Sequence, residues 1–172
     1  MIAAVNGFSW RIATRADLPR VVDIYNQTIP SRQVTADLDP VSVESREAWF
    51  ALHTPGVRPL WVAEREGRVA GWLSFSSFYG RPAYDGTAEL SVYIDLACRG
   101  AGLGRFLVTE ALREAPALGL HTLLGFIFGH NAPSLALFRA QGFETWGHLP
   151  RVAVLDGVER DLMILGRRVD EG

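Results

Sequence analysis

Apolar positions in the first third of the chain follow a short strand and then a helical spacing. Residues 10–13 are a candidate first strand, and the capping-box pattern Thr14-Arg-Ala-Asp17 predicts that a helix follows. Asp39-Pro40 is typical of the start of a second helix, with Trp49 and Phe50 on its later turns. The apolar stripe predicted to bury the first helix consists of Leu18, Val21, Val22, Tyr25 and Ile29.

Strand-like and helical segments alternate through the rest of the chain, which is typical of one α/β domain. Strands are predicted at residues 60–65, 69–75, 87–94, 120–128, 152–155 and 162–165, with tight turns at Glu66-Gly67 and Asp156-Gly157. A short helix is predicted to begin at Asn131-Ala-Pro-Ser134 and to end before Gly142. A longer helix opened by the glycine-rich turn at residues 99–104 has an apolar face of Leu107, Val108, Ala111, Leu112 and Ala115, opposite Arg105, Glu110, Arg113 and Glu114.

Composition narrows the class of protein further. The 172 residues are 48% apolar and 21% charged, with a net charge of −2, which predicts a single domain over residues 1–172 with its core at about 10–166. A near-neutral chain has no general attraction for nucleic acid or anionic membrane. Residues 1–10 do not resemble a signal peptide, and residues 118–128 are too short to span a bilayer, so we expect a cytoplasmic protein. One cysteine, Cys98, and four scattered histidines predict neither a disulfide nor a metal site.

A glycine-rich turn between a predicted strand and a predicted helix carries the first chemical signal. In Arg99-Gly-Ala-Gly-Leu-Gly104 the glycines permit a sharp turn with inward N–H groups, and the helix start adds a positive dipole end. Arg105 adds charge beside it. The turn lacks the Gly-Lys-Ser/Thr ending of a Walker A loop, and Arg105 stands where a dinucleotide fingerprint needs its third glycine. The spacing alone leaves open an anion site or a plain strand-to-helix turn.

Several motifs together resemble one family. Arg99-x-x-Gly102-x-Gly104 resembles the acyl-CoA pyrophosphate loop of the GNAT acetyltransferases, and Asn131-Ala-Pro-Ser134-x-x-Leu137-Phe138 is similar to their second signature. The stretch from Arg81-Pro-Ala-Tyr84-Asp85 to Glu89-x-Ser91-Val92-Tyr93 resembles the branch of phosphinothricin and L-amino acid N-acetyltransferases. The resemblance covers about residues 10–166 and implies a mixed, mostly antiparallel sheet flanked by helices.

The resemblance implies acetyl-CoA as co-substrate and direct transfer to a small primary amine in a ternary complex. It makes Glu89 the candidate base that removes the amine proton, and partial burial would raise the pKa of this carboxyl toward neutrality. A solvated or salt-bridged strand residue is the alternative for Glu89. The residues expected to hold acetyl-CoA are Val92, Tyr93, Ile94, Arg99, Gly100, Ala101, Gly102, Leu103, Gly104, Arg105, Asn131, Ser134 and Phe138.

The sequence departs from the family at two places. Phe138 stands where many members carry a tyrosine that protonates the leaving thiolate, so the acid would be water, Tyr84, Tyr93 or nothing. Ala36-Asp37 replaces the aromatic-arginine pair of phosphinothricin enzymes, so Asp37 could attract a cationic amine, and Arg32 or Arg81 could hold a carboxylate. The residues expected to contact the acceptor are Asp37, Ser77, Phe78, Arg81, Tyr84, Glu89 and Ser91.

Two other functions remain open at this stage. An enzyme of the same fold could acetylate protein N-termini or lysines, although the bulky segment at residues 79–84 disfavours an open peptide groove. A sensor that binds acyl-CoA without turnover is consistent with Phe138 but not with Glu89. The resemblance also implies a homodimer.

Overall fold

A single mixed sheet of seven strands organises the chain. The computed structural model describes residues 6–170. The strands lie in the order β1-β2-β3-β4-β5-β7-β6, and all neighbours are antiparallel except β4 and β5. The strands are β1 Ser9–Ile12, β2 Leu60–Arg65, β3 Arg68–Ser77, β4 Thr87–Ile94, β5 Thr122–Phe128, β6 Glu144–Leu155 and β7 Val158–Arg168. This is the mixed, mostly antiparallel sheet flanked by helices that the sequence resemblance implies.

Within residues 6–170, four α-helices cover the two faces of this sheet. They are α1 Leu18–Thr28, α2 Glu47–Ala51, α3 Leu103–Glu114 and α4 Ala132–Ala140. The main core lies between the sheet and α3 with α4, where Leu107, Val108 and Ala111 of α3 are fully buried. A smaller core on the opposite face joins Val21 and Ile24 of α1 to β2 and β3. The described residues include no helix long and apolar enough to cross a membrane.

The local patterns in the sequence predict most of these elements. Strand β4 has the predicted bounds, because its alternating apolar residues face the main core while Glu89 and Ser91 face the other side. The predicted hairpin turn is formed by Glu66 and Gly67, both with positive φ. The carboxylate of Asp17 accepts a 2.7 Å hydrogen bond from the Thr14 N–H just before α1, as the capping box predicts.

The helix predicted to start at Asp39-Pro40 is wrong. The chain at residues 39–42 is not helical; a 3₁₀ turn begins at Glu44, and α2 follows it. The reason is a tertiary contact that local pattern cannot show. The Asn26 side chain of α1 donates to the Val41 carbonyl at 3.0 Å and accepts from the Val41 N–H at 2.9 Å, so both backbone groups are already used outside a helix.

The polar face predicted for α3 is wrong at Glu110. This carboxylate is buried, at 7% exposure, and accepts a 3.0 Å hydrogen bond from the indole N–H of Trp10 on β1. Arg113, one turn along, donates to it at 2.5 Å. The carboxylate thus accepts from one neutral and one charged donor, which allows it to stay buried on the sheet side of the helix.

The closing hairpin is longer than predicted. The turn at Asp156-Gly157 is confirmed, and both residues have positive φ. Strands β6 and β7 extend over 12 and 11 residues. The sequence pattern does not show this length, because β6 is a mostly exposed edge strand and lacks a regular apolar alternation.

Candidate active site

The two parallel strands separate in the middle of the sheet. Strands β4 and β5 pair only from Thr87 to Glu89 against Thr122 to Leu124. Beyond that point β4 stays paired with β3 as far as Ile94, and β5 stays paired with β7 as far as Phe128. Within the described residues, the facing edges of the two strands therefore have no strand partner, and their backbone groups are available to a ligand.

The glycine-rich turn closes one end of this opening. Gly100 and Gly102 have φ of +77° and +83°, a conformation that favours glycine, and Gly102 immediately precedes α3. A Cβ on Gly104 would lie 3.1 Å from Leu137 Cδ2 of α4, so glycine also lets the two helices approach closely. The first N–H groups of α3 lack helical acceptors and point out of the helix start, as an anion site requires.

A groove of about 1220 Å³, including open solvent, runs from this turn to the gap between the strands. It brings together twelve of the thirteen residues predicted to hold acetyl-CoA; Ala101 does not line it. Asn131 and Ser134 belong to the start of α4, where the Asn131 side chain accepts a 3.3 Å hydrogen bond from the Ser134 N–H. The lining residues that sequence reasoning missed are Thr28, Gln33, Val34, Cys98, Pro133 and Leu137.

Phe138 lies where this groove reaches the separated strands. Its ring is 4% exposed and packs edge-on against Phe143, with centroids 4.9 Å apart. Gly125 of β5 makes room for it, because a Cβ there would lie 2.9 Å from the ring. Phe138 also lines the smaller cavity inside the gap, together with Ser91 and Tyr93.

Glu89 lies at the last paired position of β4, where the gap opens. Its side chain is half-buried, and burial raises the pKa of the carboxyl above its ordinary value. It is opposite Ser76 of β3 in the sheet register. Among residues 6–170 Glu89 forms no salt bridge, and burial is the cause of the raised pKa.

A second pocket, the aromatic pocket, lies on the α1 side of β4. It encloses about 470 Å³, including open solvent, and shares Ser91 and Tyr93 with the cavity inside the gap. Tyr93 stacks on Trp72 at 4.5 Å between ring centroids, and burial raises the pKa of its phenol. The pocket is lined by Val21, Val22, Tyr25, Val41, Arg46, Trp49, Trp72, Ser74, Ser76, Ser91 and Tyr93.

Of the residues predicted to contact the acceptor, only Ser91 lines this pocket. Ser77 and Arg81 are exposed, and Phe78 and Tyr84 pack against each other, 5.5 Å apart, in the loop after β3. Asp37 is bonded to the hydroxyl of Tyr25 and to Arg46 rather than open to the pocket. The alternation of Trp72, Ser74 and Ser76 on one face of an otherwise apolar strand is the sequence signal that could have indicated the pocket floor.

The fold and the glycine-turn groove define an acetyltransferase of the GNAT type. The sequence model of the "Acetyltransferase (GNAT) family" matches residues 18–143, and the chain belongs to this family. It is an N-acetyltransferase that uses acetyl-CoA. The residues of the groove fit that molecule: helix-start amides with Arg99 and Arg105 suit its pyrophosphate, and the unpaired strand edges suit its amide-containing arm.

Within this family, the chain is similar to proteins named as phosphinothricin and L-methionine sulfoximine/L-methionine sulfone acetyltransferases. The chain is 58% identical over 160 residues to the Bacillus subtilis protein named "Putative phosphinothricin acetyltransferase YwnH", covering 92% of this chain and 98% of the relative. It is 34% identical over 163 residues to the L-methionine sulfoximine/L-methionine sulfone acetyltransferase of Pseudomonas aeruginosa, covering 94% and 95%. A crystal structure of a phosphinothricin acetyltransferase from Sinorhizobium meliloti in complex with acetyl-CoA matches with a TM-score of 0.88 at 31% identity, covering 94% and 88%.

Proposed function

We propose that this enzyme transfers an acetyl group directly to the primary amine of a small amino acid or amino acid analogue, of the phosphinothricin or methionine sulfoximine type. The observation that carries the proposal is the meeting of two cavities at β4. The groove with the glycine turn and the aromatic pocket share Tyr93, and Ser91 lines both the pocket and the gap between the strands. Two reactants bound in these cavities would meet at that strand.

Acetyl-CoA supplies an activated acetyl thioester when bound. The amides at the start of α3, with Arg99 and Arg105, would hold its phosphates, and the free edge of β4 from Val92 to Ile94 would bind its arm. An N–H of that edge is suited to polarise the thioester carbonyl, because it has no strand partner to satisfy it.

Glu89 has the properties of the base. An amine must lose a proton to become an amide, and we infer that Glu89, at the last position where β4 pairs with β5, accepts it directly or through water. Its raised pKa brings its basicity closer to that of an amine substrate near neutral pH. The hydroxyl of Ser76, opposite in the register, offers a position for a bridging water.

The proton for the departing thiolate cannot come from Phe138, which has no dissociable group. A thiol has an ordinary pKa of about 8.5, so its thiolate leaves without strong acid assistance. Water can supply this proton. Tyr93 lines both cavities and carries a hydroxyl, but burial raises the pKa of its phenol and makes it a weaker acid than water-assisted departure requires.

Release of the CoA thiol, followed colorimetrically with acetyl-CoA and a panel of amines, tests the proposal. The panel contains phosphinothricin, methionine sulfoximine, methionine sulfone, ordinary L-amino acids, polyamines and short peptides. Selective turnover of one or more amino acid analogues supports the proposal. Turnover of peptides alone would replace it with protein acetylation, and acetyl-CoA binding without any turnover would replace it with the sensor function.

We also propose that the enzyme acts as a homodimer in the cytoplasm. The described residues present a set of exposed apolar side chains on the closing hairpin, which a second copy could cover. They are Trp146, Leu149, Val152, Val154 and Val158. Light scattering coupled to size exclusion tests this, and a monomeric mass at micromolar concentration would contradict it.

A further inference from the structure

The aromatic pocket beside β4 carries an unexpected charge. Its walls are the rings of Tyr25, Trp49 and Trp72, and its floor is formed by hydroxyl-bearing side chains of β3 and β4. Among the lining residues in the described part of the chain, Arg46 is the only one with a charged side chain. A small molecule in this pocket would therefore meet one cation, aromatic surfaces and neutral hydroxyls.

Arg46 is held in place by Asp37, which does not line the pocket, and by the ring of Tyr25, which does. Its Nη2 donates to Asp37 Oδ2 at 3.0 Å, and its Cζ lies 5.0 Å from the centroid of the Tyr25 ring. The Tyr25 hydroxyl donates to the same Asp37 carboxylate and also contacts the hydroxyl of Thr35. Ring and carboxylate together fix the plane of the guanidinium.

This arrangement leaves most of the guanidinium unused. An arginine has five N–H donors, and within residues 6–170 the bond to Asp37 is the one hydrogen bond that the Arg46 side chain makes. A partly exposed ion pair of this kind adds little to stability, so structural pairing alone is a weak reason for an arginine at the pocket. Its free donors match the two oxygens of a carboxylate.

The other arginines considered for this role are engaged elsewhere. Arg32 bonds Asp156 at 2.7 Å and the carbonyls of Ile29 and Leu38, and Arg81 is exposed in the loop after β3. Neither lines the pocket.

We propose that Arg46 binds a carboxylate of the amine acceptor, with Asp37 and Tyr25 as positioning residues. The inference rests on the proposed function, because it takes this pocket as the acceptor site. It makes Arg46 the residue that selects amino acids over amines lacking a carboxylate. The apolar and aromatic walls then contact the side chain of the acceptor.

Two acceptors that differ only at the carboxylate test this role. L-methionine sulfone and its carboxamide carry the same amine and side chain. Arg46→Gln is expected to lower kcat/KM for the carboxylate about 10- to 100-fold, mainly through KM, because it removes charge-assisted hydrogen bonds. For the carboxamide, and in KM for acetyl-CoA, the change is expected to stay within about twofold.

Arg15→Gln is the matched control. Arg15 also forms an ion pair with a carboxylate of this region, Glu47, but it is exposed and does not line the pocket. Its kinetics are expected to equal those of the wild type with both acceptors. If Arg46→Gln does not fold, Arg46→Lys replaces it in the test. The lysine keeps the positive charge but lacks the planar guanidinium, so it is expected to retain part of the preference for the carboxylate over the carboxamide.

Binding without turnover separates this inference from the proposed function. Trp49 and Trp72 line the pocket, so quenching of their fluorescence reports acceptor binding even if no amine is acetylated. Carboxylate-dependent quenching in the wild type that is lost in Arg46→Gln supports the inference, although absence of turnover would overturn the proposed function. The inference is overturned by equal losses for both acceptors, by no loss, or by a wild type that shows no preference for the carboxylate.

Discussion

Adding one methyl group at Gly125 is expected to disturb the site through Phe138. Gly125 is the first residue of β5 beyond the segment that pairs with β4. A Cβ there would lie 2.9 Å from Phe138 Cε1 and 3.1 Å from Phe138 Cδ1. Carbon atoms in contact normally lie about 3.5–4.0 Å apart. Phe143 packs edge-on against the ring, with centroids 4.9 Å apart, and restricts its movement. We expect Gly125→Ala to push the ring toward the acetyl-CoA groove.

The magnitude follows from two opposing effects. Overpacking a buried site costs about 1–3 kcal/mol, whereas replacing glycine by alanine restricts the unfolded chain and returns about 0.4–1 kcal/mol. A ring that is 4% exposed has little freedom, so we expect a net loss of about 1–2 kcal/mol in the free energy of unfolding. For a chain of this size, that corresponds to a decrease in Tm of about 2–8 °C. KM for acetyl-CoA is expected to rise.

Denaturant unfolding and steady-state kinetics of a double-mutant cycle check this reasoning. Phe138→Leu removes the ring atoms that the new methyl group would meet, so Gly125→Ala is expected to be neutral or stabilising in that background. The coupling free energy should reach about 1 kcal/mol. Gly129→Ala, at an exposed position after β5 where a Cβ would meet Asp161 Cβ at 3.3 Å rather than a buried ring, is the control and is expected to cost less than Gly125→Ala. Additive losses in the cycle, or no loss from Gly125→Ala alone, would refute the proposed clash.

Two further substitutions test the proton chemistry and the core. Glu89→Gln is expected to lower kcat/KM about 100-fold or more if the carboxylate is the base. Burial raises the pKa of the Glu89 carboxyl, so its charged form destabilises the folded state above about pH 4.3, the ordinary pKa of a glutamate. At pH 7 Glu89→Gln should therefore have a higher Tm than the wild type. The difference should vanish below about pH 4, and a lower Tm at pH 7 would contradict the assignment. Trp10→Phe removes the indole donor to the buried Glu110 carboxylate and should cost about 1.5–3 kcal/mol in denaturant unfolding, without changing KM for acetyl-CoA.

Most residues of the groove beside the glycine turn could be grouped from the sequence, because the signals that bring them together are local. The glycine turn, the helix that follows and the start of α4 are short motifs whose backbone geometry depends on glycine, proline and capping residues close in the chain. Strand β4 is equally local, since strict alternation sets both its limits and which residues face the core. The groove is largely the sum of these segments.

The proposed acceptor pocket is not predictable in the same way. It combines α1, the segment 41–49 with its 3₁₀ turn and α2, and strands β3 and β4, which come from four separate parts of the chain. Each contribution is ordinary by itself: valines on a helix, an arginine in a turn, serines in a strand. The error at Asp39-Pro40 has the same cause, because a side chain of α1 fixes the backbone at Val41 and thereby determines the path of the chain toward Arg46.

Asp37 shows that the charge of one residue in the sequence need not be the charge that a pocket presents in the structure. In the sequence it stands alone in a loop expected to border the acceptor, which favours a cationic substrate. In the structure its carboxylate is bonded to Tyr25 and Arg46, and the charge that reaches the pocket is that of Arg46. In the proposed binding mode Asp37 orients the guanidinium of Arg46, whose remaining N–H groups suit an anion rather than a cation. We expect Asp37→Asn to raise KM for an amino acid acceptor and to leave polyamines unused, because the charge that the acceptor meets is the positive charge of Arg46 and not the negative charge of Asp37.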